Sequence, residues 1–362
     1  MKKILILAAA LMIQGCISGG DGQDASGGDI RQIDKPAEKA LIGFAIPYKS
    51  SWLSDGAGFM KGKAEAMGYD FMSLQADSSI AEYESHIEKL ISLGAKIIIT
   101  RKDWNFPREI ESLKKASLAG IKIITFDMFF EVLEYCDYNI TYNFPKIGEM
   151  QAETIINALD SGIISERNNI VLFAGSSADN MAYVLFDSAM EKLNPYIDSG
   201  RLAVLGPYPR DSKSRSFWDI CIESWDTQAA AEKMKHLLED ELSGIDIDAI
   251  LCPNDSLAVG IISAYENLGY SQYPVITAMD ATPEAVRLVS DGKLKMTVLK
   301  SIKTLAEGSI LLADALLKGE EPEIPASENG MIKDGYNELP SVFIYPEIVT
   351  AENLKEVLIN GR

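Results

Sequence analysis

Residues that could grip a polar ligand recur in one setting along this chain: just after an apolar run. Trp52 follows LIGFAI (Leu41–Ile46), in the polar stretch PYKSSW. Arg101, Lys102, Asp103 and Trp104 follow AKIIIT, and Asp127 ends IKIITFD. SSADN (176–180) follows NIVLFAG, Asn254 and Asp255 follow DAILCP, and Asp280 ends PVITAMD. Carboxylates and amides form in-plane hydrogen bonds with neighbouring hydroxyls, and a carboxylate so bonded keeps its charge at lower cost than an unpaired one. An indole offers a flat apolar face to the C–H side of a pyranose ring. Trp225, in CIESWDTQAAAEKM, is a second such face. The set suits a small polyhydroxylated ligand. Local roles compete with it: Asp127, Asp179 and Asp255 are each placed to cap a following helix, and Trp52 to cover the core beneath its loop. Their convergence after successive strands favours a shared site.

Other chemistries find little support. No G-x-G-x-x-G follows the first strand and no G-x-x-x-x-G-K-[ST] occurs, so nothing cradles a nucleotide. The two histidines, His86 and His236, lie in charged helical stretches away from these loops; they provide neither a base for a Ser or Cys nucleophile nor a metal site. No cofactor and no catalysis are expected. A net charge of −19 repels phosphate backbones and argues against nucleic acid. Beyond Cys16 the cysteines are Cys136, Cys221 and Cys252, with irregular spacing and no Cys-x-x-Cys; this is no disulfide framework, and one bridge stays open.

The elements that must position these residues alternate. LIGFAI, YDFMSLQA, AKIIIT and IKIITFD read as strands separated by helical stretches of 10–15 residues, several closed by glycine. The rhythm restarts at NIVLFAG and runs through RLAVLG, DAILCP and PVITAMD. Strands that are apolar on both faces indicate buried parallel sheet. The chain therefore reads as α/β, with two doubly wound parallel-sheet halves, and ligands of such sheets bind at the carboxyl ends of the strands.

The start of the chain is a separate object. Lys2 and Lys3 precede an apolar run, Ile4–Ile13, too short to span a bilayer as a helix. IQGC follows, so residues 1–16 read as an export signal of lipoprotein type, with Cys16 the acylated residue. Ile13 and Gln14 depart from the leucine and small residue usual in that motif. Two or more acyl chains would hold the protein to a membrane face. Residues 17–38, rich in Gly, Ser and Asp, read as a flexible tether.

The chain resembles bacterial periplasmic sugar-binding proteins of the xylose and glucose/galactose type. These include multiple-sugar receptors that feed ABC importers and, in some bacteria, a sensor kinase. The resemblance runs from about Leu41 to Asn360 and is most specific in GSSADNMAYVLFDSAMEKLNPYIDSGRL (175–202), WDTQAAAEKM (225–234), PNDSLAVGIISAY (253–265) and MDATPEAVRLVSDGKLKMTVLKSI (279–302). It implies the type I periplasmic binding protein fold: two lobes, three crossovers, and a ligand closed between them. The first lobe would hold 39–142 with 301–335 and the second 143–299 with 338–361, with crossings near Tyr142, Lys300 and Pro340. Position by position, the family's sugar contacts fall on Trp52, Asp127, Asp179, Trp225, Asn254, Asp280 and the hinge lysine Lys300. Family arginines are replaced by Ser51 and Met128, and a family asparagine by Met181. Arg101 and Lys102, where the family is usually apolar, return some of that charge. The resemblance implies an exported solute-binding protein, periplasmic or at the cell surface. It would take a monosaccharide or related ligand, pass it to an ABC permease, and touch the membrane only through its lipid. A sugar-sensing subunit for chemotaxis or a sensor kinase is the alternative.

Overall fold

The structure, a computed structural model, describes residues 39–101, 106, 109–127, 135–162, 168–207, 217–333 and 337–360. Cys16, the tether, Lys102, Asp103, Trp104 and Met128 lie outside the described residues. In chain order the first half contains β1 (Leu41–Ile46), α1 (Ser51–Ala66), β2 (Asp70–Gln75), α2 (Ile80–Ser92), β3 (Ile97–Thr100), α3 (Glu111–Leu118), β4 (Lys122–Phe126) and β5 (Tyr138–Tyr142). The second contains α4 (Phe144–Asp160), β6 (Asn169–Leu172), α5 (Asn180–Asp198), β7 (Ala203–Leu205), α6 (Thr227–His236), β8 (Ala249–Leu251), α7 (Asp255–Asn267), β9 (Val275–Ile276), α8 (Pro283–Ser290) and β10 (Thr297–Leu299). Last come α9 (Ile302–Lys318), β11 (Ser327–Lys333), β12 (Glu338–Ile344), β13 (Glu347–Val349) and α10 (Leu354–Asn360).

Two sheets carry the fold. The first has the order β11-β12-β5-β4-β3-β1-β2, parallel except for the β11–β12 pair. The second is parallel, with the order β7-β6-β8-β9. Side chains alternate across a strand, and both faces of the first sheet are covered, which explains its wholly apolar runs. Ile97 and Ile99 enter a core with Leu53 and Met60 of α1 and Leu305 and Ile310 of α9. Ile98 points the other way, to Tyr83, Ile87 and Leu90 of α2 and Leu113 of α3. The second sheet repeats the arrangement: Val171 and Ile250 pack with α6 and α7, while Ile170 and Leu251 pack with α4 and α5. Gly68, Gly94 and Gly120 close α1, α2 and α3 at φ of +87°, +76° and +76°, a region only glycine enters without strain.

One expected boundary is corrected. The chain does not cross near Pro340. Pro340 lies inside β12, opposite Met331, and β12 runs parallel to β5 from Ser341↔Asn139 to Ile344↔Tyr142. Residues 338–344 therefore belong to the first sheet, because Val342 and Ile344 fill its core. The chain leaves that sheet after Ile344, and β13 then pairs antiparallel with β10. The other passages lie at Tyr142, between β5 and α4, and at Lys300, between β10 and α9.

α4 and α5 pack closely because Gly148 has no side chain: a Cβ there would lie 2.3 Å from the Leu185 carbonyl oxygen. Gly62, exposed within α1, meets nothing within 4 Å. Gly148→Ala is expected to lower unfolding free energy by about 1–3 kcal/mol through overpacking, whereas Gly62→Ala should raise it by about 0.5–1 kcal/mol through lower chain entropy. Urea denaturation of the two variants checks both signs.

Candidate ligand-binding site

The carboxyl ends of both sheets face one cavity of about 280 Å³. Its size is near the lower end of small-ligand pockets, roughly 300–1,000 Å³. Asp127, Asp179, Trp225, Asn254, Asp280 and Lys300 all line it, together with Arg101 and Met181. Trp52 does not. It sits in the first turn of α1, not in a free loop, and lines an adjoining cleft that shares Asp280 and Lys300 with the cavity. Ser51, beside it, is exposed and lines neither.

Each wall residue is set by the end of an element. Asp127 follows β4 and its N–H donates to the Ile140 carbonyl at 2.9 Å. Arg101, one residue past β3, donates to the Asp127 carboxylate and lies 5.9 Å from the Trp52 ring centre. Trp52 also leans on Phe126, with centroids 6.0 Å apart. Asp179 caps α5, accepting from Met181 N at 2.8 Å, and Asn254 caps α7, accepting from Leu257 N at 3.1 Å. The capping role is thus real for Asp179. At the next helix the cap is Asn254, while Asp255 is the first helical residue and is buried. The Asn254 amide nitrogen has no hydrogen-bond partner among the described residues.

Three wall residues hold backbone that L-residues rarely adopt: Asp127 at φ +55°, Trp225 at +55° and Asp280 at +115°. Such conformations cost of the order of 1–3 kcal/mol each and persist where the surroundings over-determine them, commonly at ligand sites. For Trp225 the surroundings are explicit. Ile222 N donates to Ala174 O at 3.0 Å, and the exposed Glu223 carboxylate accepts from Ser176 Oγ at 2.9 Å and from Ser177 Oγ. Those hydroxyl bonds hold the Glu223 carboxyl below its ordinary pKa. The indole then lies against Gly175, where a Cβ would meet the ring at 2.1 Å.

The model of the periplasmic binding protein domain family matches residues 42–321. The chain belongs to that family. It is 31% identical over 332 residues to the multiple sugar-binding periplasmic receptor ChvE of Rhizobium radiobacter, covering 90% of this chain and 91% of the receptor. It is 28% identical over 325 residues to the D-xylose-binding periplasmic protein of Escherichia coli (strain K12), covering 89% and 90%. A solved ABC transporter solute-binding protein from Clostridium phytofermentans, with bound β-D-glucose, is 28% identical and superposes with a TM-score of 0.69 over 88% of this chain and 97% of that one. The fold is that of the type I periplasmic binding proteins.

In this periplasmic binding protein the cavity charges are largely matched. Lys300 Nζ lies 3.0 Å from Asp280 Oδ1 and 5.2 Å from the Phe144 ring centre. Burial pushes the ammonium pKa down, but the Asp280 and Asp127 carboxylates outweigh it and leave the pKa above its ordinary value. Phe144 and Leu185 also line the cavity. Sequence reasoning passed over both, since each reads as an ordinary core residue on a helix. Cys136, Cys221 and Cys252 form no disulfide.

Gly175→Ala should push the Trp225 indole off its seat, changing the near-ultraviolet circular dichroism and the tryptophan emission. Gly62→Ala should leave both spectra unchanged. Unaltered spectra in Gly175→Ala would contradict the packing of Trp225 on Gly175.

Proposed function

We propose that this periplasmic binding protein closes its two lobes on a small neutral carbohydrate, a monosaccharide or related polyol, and presents it unchanged to an ABC permease. The observation that carries the reading is the cavity itself. It brings together Asp127, Asp179, Asn254, Asp280 and Lys300 beside the Trp225 indole. Its cations are engaged by carboxylates: Arg101 with Asp127 and Lys300 with Asp280. A neutral ligand rich in hydroxyls leaves those pairs intact, and its hydroxyls can bond to the carboxylate oxygens and the Asn254 amide. Trp225 is the platform for an apolar ring face, and Trp52 is the second apolar face, reached across the shared Asp280–Lys300 pair. The kinship with two proteins named for sugar binding, and with a solute-binding protein solved with β-D-glucose, supports the same ligand class. In this reading Arg101 takes over from the arginines replaced at Ser51 and Met128, and Met181 adds a pliable apolar contact.

No catalysis is part of this reading. The work is the difference in ligand affinity between open and closed lobes. No helix among the described residues is long and apolar enough to cross a membrane. We place the protein outside the cytoplasmic membrane, held through acylated Cys16. A sensory role is the second reading, favoured by the kinship with a protein named a receptor.

A thermal-shift series with D-glucose, D-xylose and myo-inositol tests the ligand class. A bound sugar at a hundredfold excess over Kd adds about 2.7 kcal/mol of stability and raises Tm. Asp280→Ala and Trp225→Ala should abolish the rise, and the sugar should be recovered unaltered by chromatography. Mutants that respond like the parent, or the appearance of a product, would end this reading. Separately, Cys16→Ser should move the protein from the membrane fraction to the soluble fraction of the producing cell. Continued membrane association would exclude the lipid anchor.

A further inference from the structure

Asp255 is 1% exposed, lies next to the cavity residue Asn254, and is not itself in the cavity wall. Its partners lie on two other segments. Asp255 Oδ2 accepts from the Thr282 N–H at 2.7 Å, and Oδ1 accepts from Thr297 Oγ1 at 2.6 Å. Thr297, fully buried at the start of β10, in turn accepts from the Ala281 N–H at 3.1 Å. Asp280 N donates to Val298 O at 2.8 Å, and Asp255 N donates to Met279 O at 2.9 Å. The amides of 280, 281 and 282 are therefore all consumed by β10 and Asp255. This turn is the strained one, with φ of +115° at Asp280 and +50° at Ala281. Three residues beyond Thr297, the same strand leads to Lys300, which pairs with Asp280 in the cavity.

We propose that Asp255 is a positioning residue for ligand binding: from behind the cavity wall it clamps the Asp280–Ala281 turn to β10 and so fixes the Asp280–Lys300 pair. No apolar or singly accepting side chain can replace both bonds. A turn released from its clamp would relax toward unstrained φ and swing the Asp280 carboxylate away from the ligand.

A pH dependence follows from the same geometry. Burial raises the Asp255 carboxyl to about 7, the Asp280 charge adds to the rise, and the bonds from Thr297 and Thr282 oppose it. Among the described residues, the ionisable groups beside it are Asp280, held by Lys300, and the Cys252 thiol, which burial keeps protonated. Both clamp bonds need acceptor oxygens. The Thr297 and Thr282 bonds lower the pKa, so they favour the carboxylate. In a released turn, with Asp255 still buried but without those bonds, the carboxyl takes up a proton more readily. The clamp therefore weakens as pH falls through about 7, whereas the fold as a whole, which buries the charge, loses stability as pH rises through that value.

The proposal rests on reading the cavity as the sugar site, so its test has one arm that needs no sugar. In the first arm, Kd for D-glucose and D-xylose is measured at about pH 8 and about pH 5.5. The parent should bind at least tenfold more weakly at the lower pH. Asp255→Asn, which keeps one acceptor and cannot ionise, should bind with an intermediate Kd that is level across that range. Asp255→Ala should bind at least tenfold more weakly than the parent at the higher pH. In the second arm, amide hydrogen exchange is followed without ligand. Ala281 and Thr282 should exchange at least tenfold faster in Asp255→Ala than in the parent, and measurably faster in Asp255→Asn should the alanine variant not fold, while β6 amides keep their protection. A parent that binds neither sugar counts against the sugar reading alone. A parental pH slope in Asp255→Asn, parental affinity in Asp255→Ala, or unchanged exchange at Ala281 and Thr282 in the variants would overturn the clamp.

Discussion

An ammonium and several carboxylates can share a half-buried cavity only if each charge has a partner, and much of the architecture here serves that constraint. Taking an isolated ion out of water costs several kcal/mol even after relaxation. Lys300 meets the condition through Asp280, with the Asp127 charge adding at longer range. Asp127 meets it through Arg101. A buried ion pair is weak evidence for stability, since apolar replacements are often as good. Two such pairs in one cavity wall are therefore better understood as orientation devices. Each cation fixes one face of a carboxylate and leaves its other lone pairs open to the cavity. Arg101 and Asp127 follow β3 and β4 of the first sheet, while Asp280 and Lys300 follow β9 of the second sheet and β10, so each half of the chain brings one pair to the cavity.

Capping a helix and facing the cavity are not alternatives in this fold. A parallel strand ends, the chain turns, and a helix begins with unsatisfied N–H groups pointing back toward the strand end. Asp179 and Asn254 stand at that junction, give one oxygen to the helix, and present the rest of the group to the cavity. The helix bond locks the side chain, which is what a binding group needs if it is not to lose rotamer freedom when the ligand arrives. Trp225 is locked by other means: left-handed backbone, a Glu223–serine brace and a glycine floor.

Much of this was legible in the sequence. Ile97, Ile98 and Ile99 run apolar in succession because each side chain enters one of two cores, and that pattern cannot be mistaken for an amphipathic strand. The switch from apolar run to carboxylate or amide marked Asp127, Asn254 and Asp280, since a polar residue at such a place needs a reason. What escaped notice depends on contacts distant in sequence. Val342 and Ile344 suit either sheet by hydrophobicity, and only pairing with β5 assigns them to the first. PVITAMD reads as one strand up to Met279, yet the strand stops at Ile276, and the chain then turns through Asp280 at φ +115°. Trp52 reads as a loop residue, because Ser50, the cap that brings it into α1, is one serine among several. Phe144 and Leu185 gave no signal, for an apolar cavity wall and an apolar core use the same side chains.

The position of Lys300 ties the cavity to the passages between lobes. It lies between β10 and α9, where the chain returns to the first sheet. Its neighbour Ser301 accepts from the Tyr142 hydroxyl at 2.6 Å, and Tyr142 ends β5, where the chain first leaves that sheet. Two of the three passages are thereby bonded to each other beside the cavity residue Lys300. A hinge of that kind has few soft dihedrals, and lobe closure must run through the residues flanking this bond and through the third passage after Ile344. On the proposed reading, a ligand bonded to Asp280 acts on Lys300 and through it on the passage between β10 and α9. Binding and closure are then two descriptions of one equilibrium, in which the free energy of gripping the ligand and that of holding the passages in their closed form draw on the same ion pair.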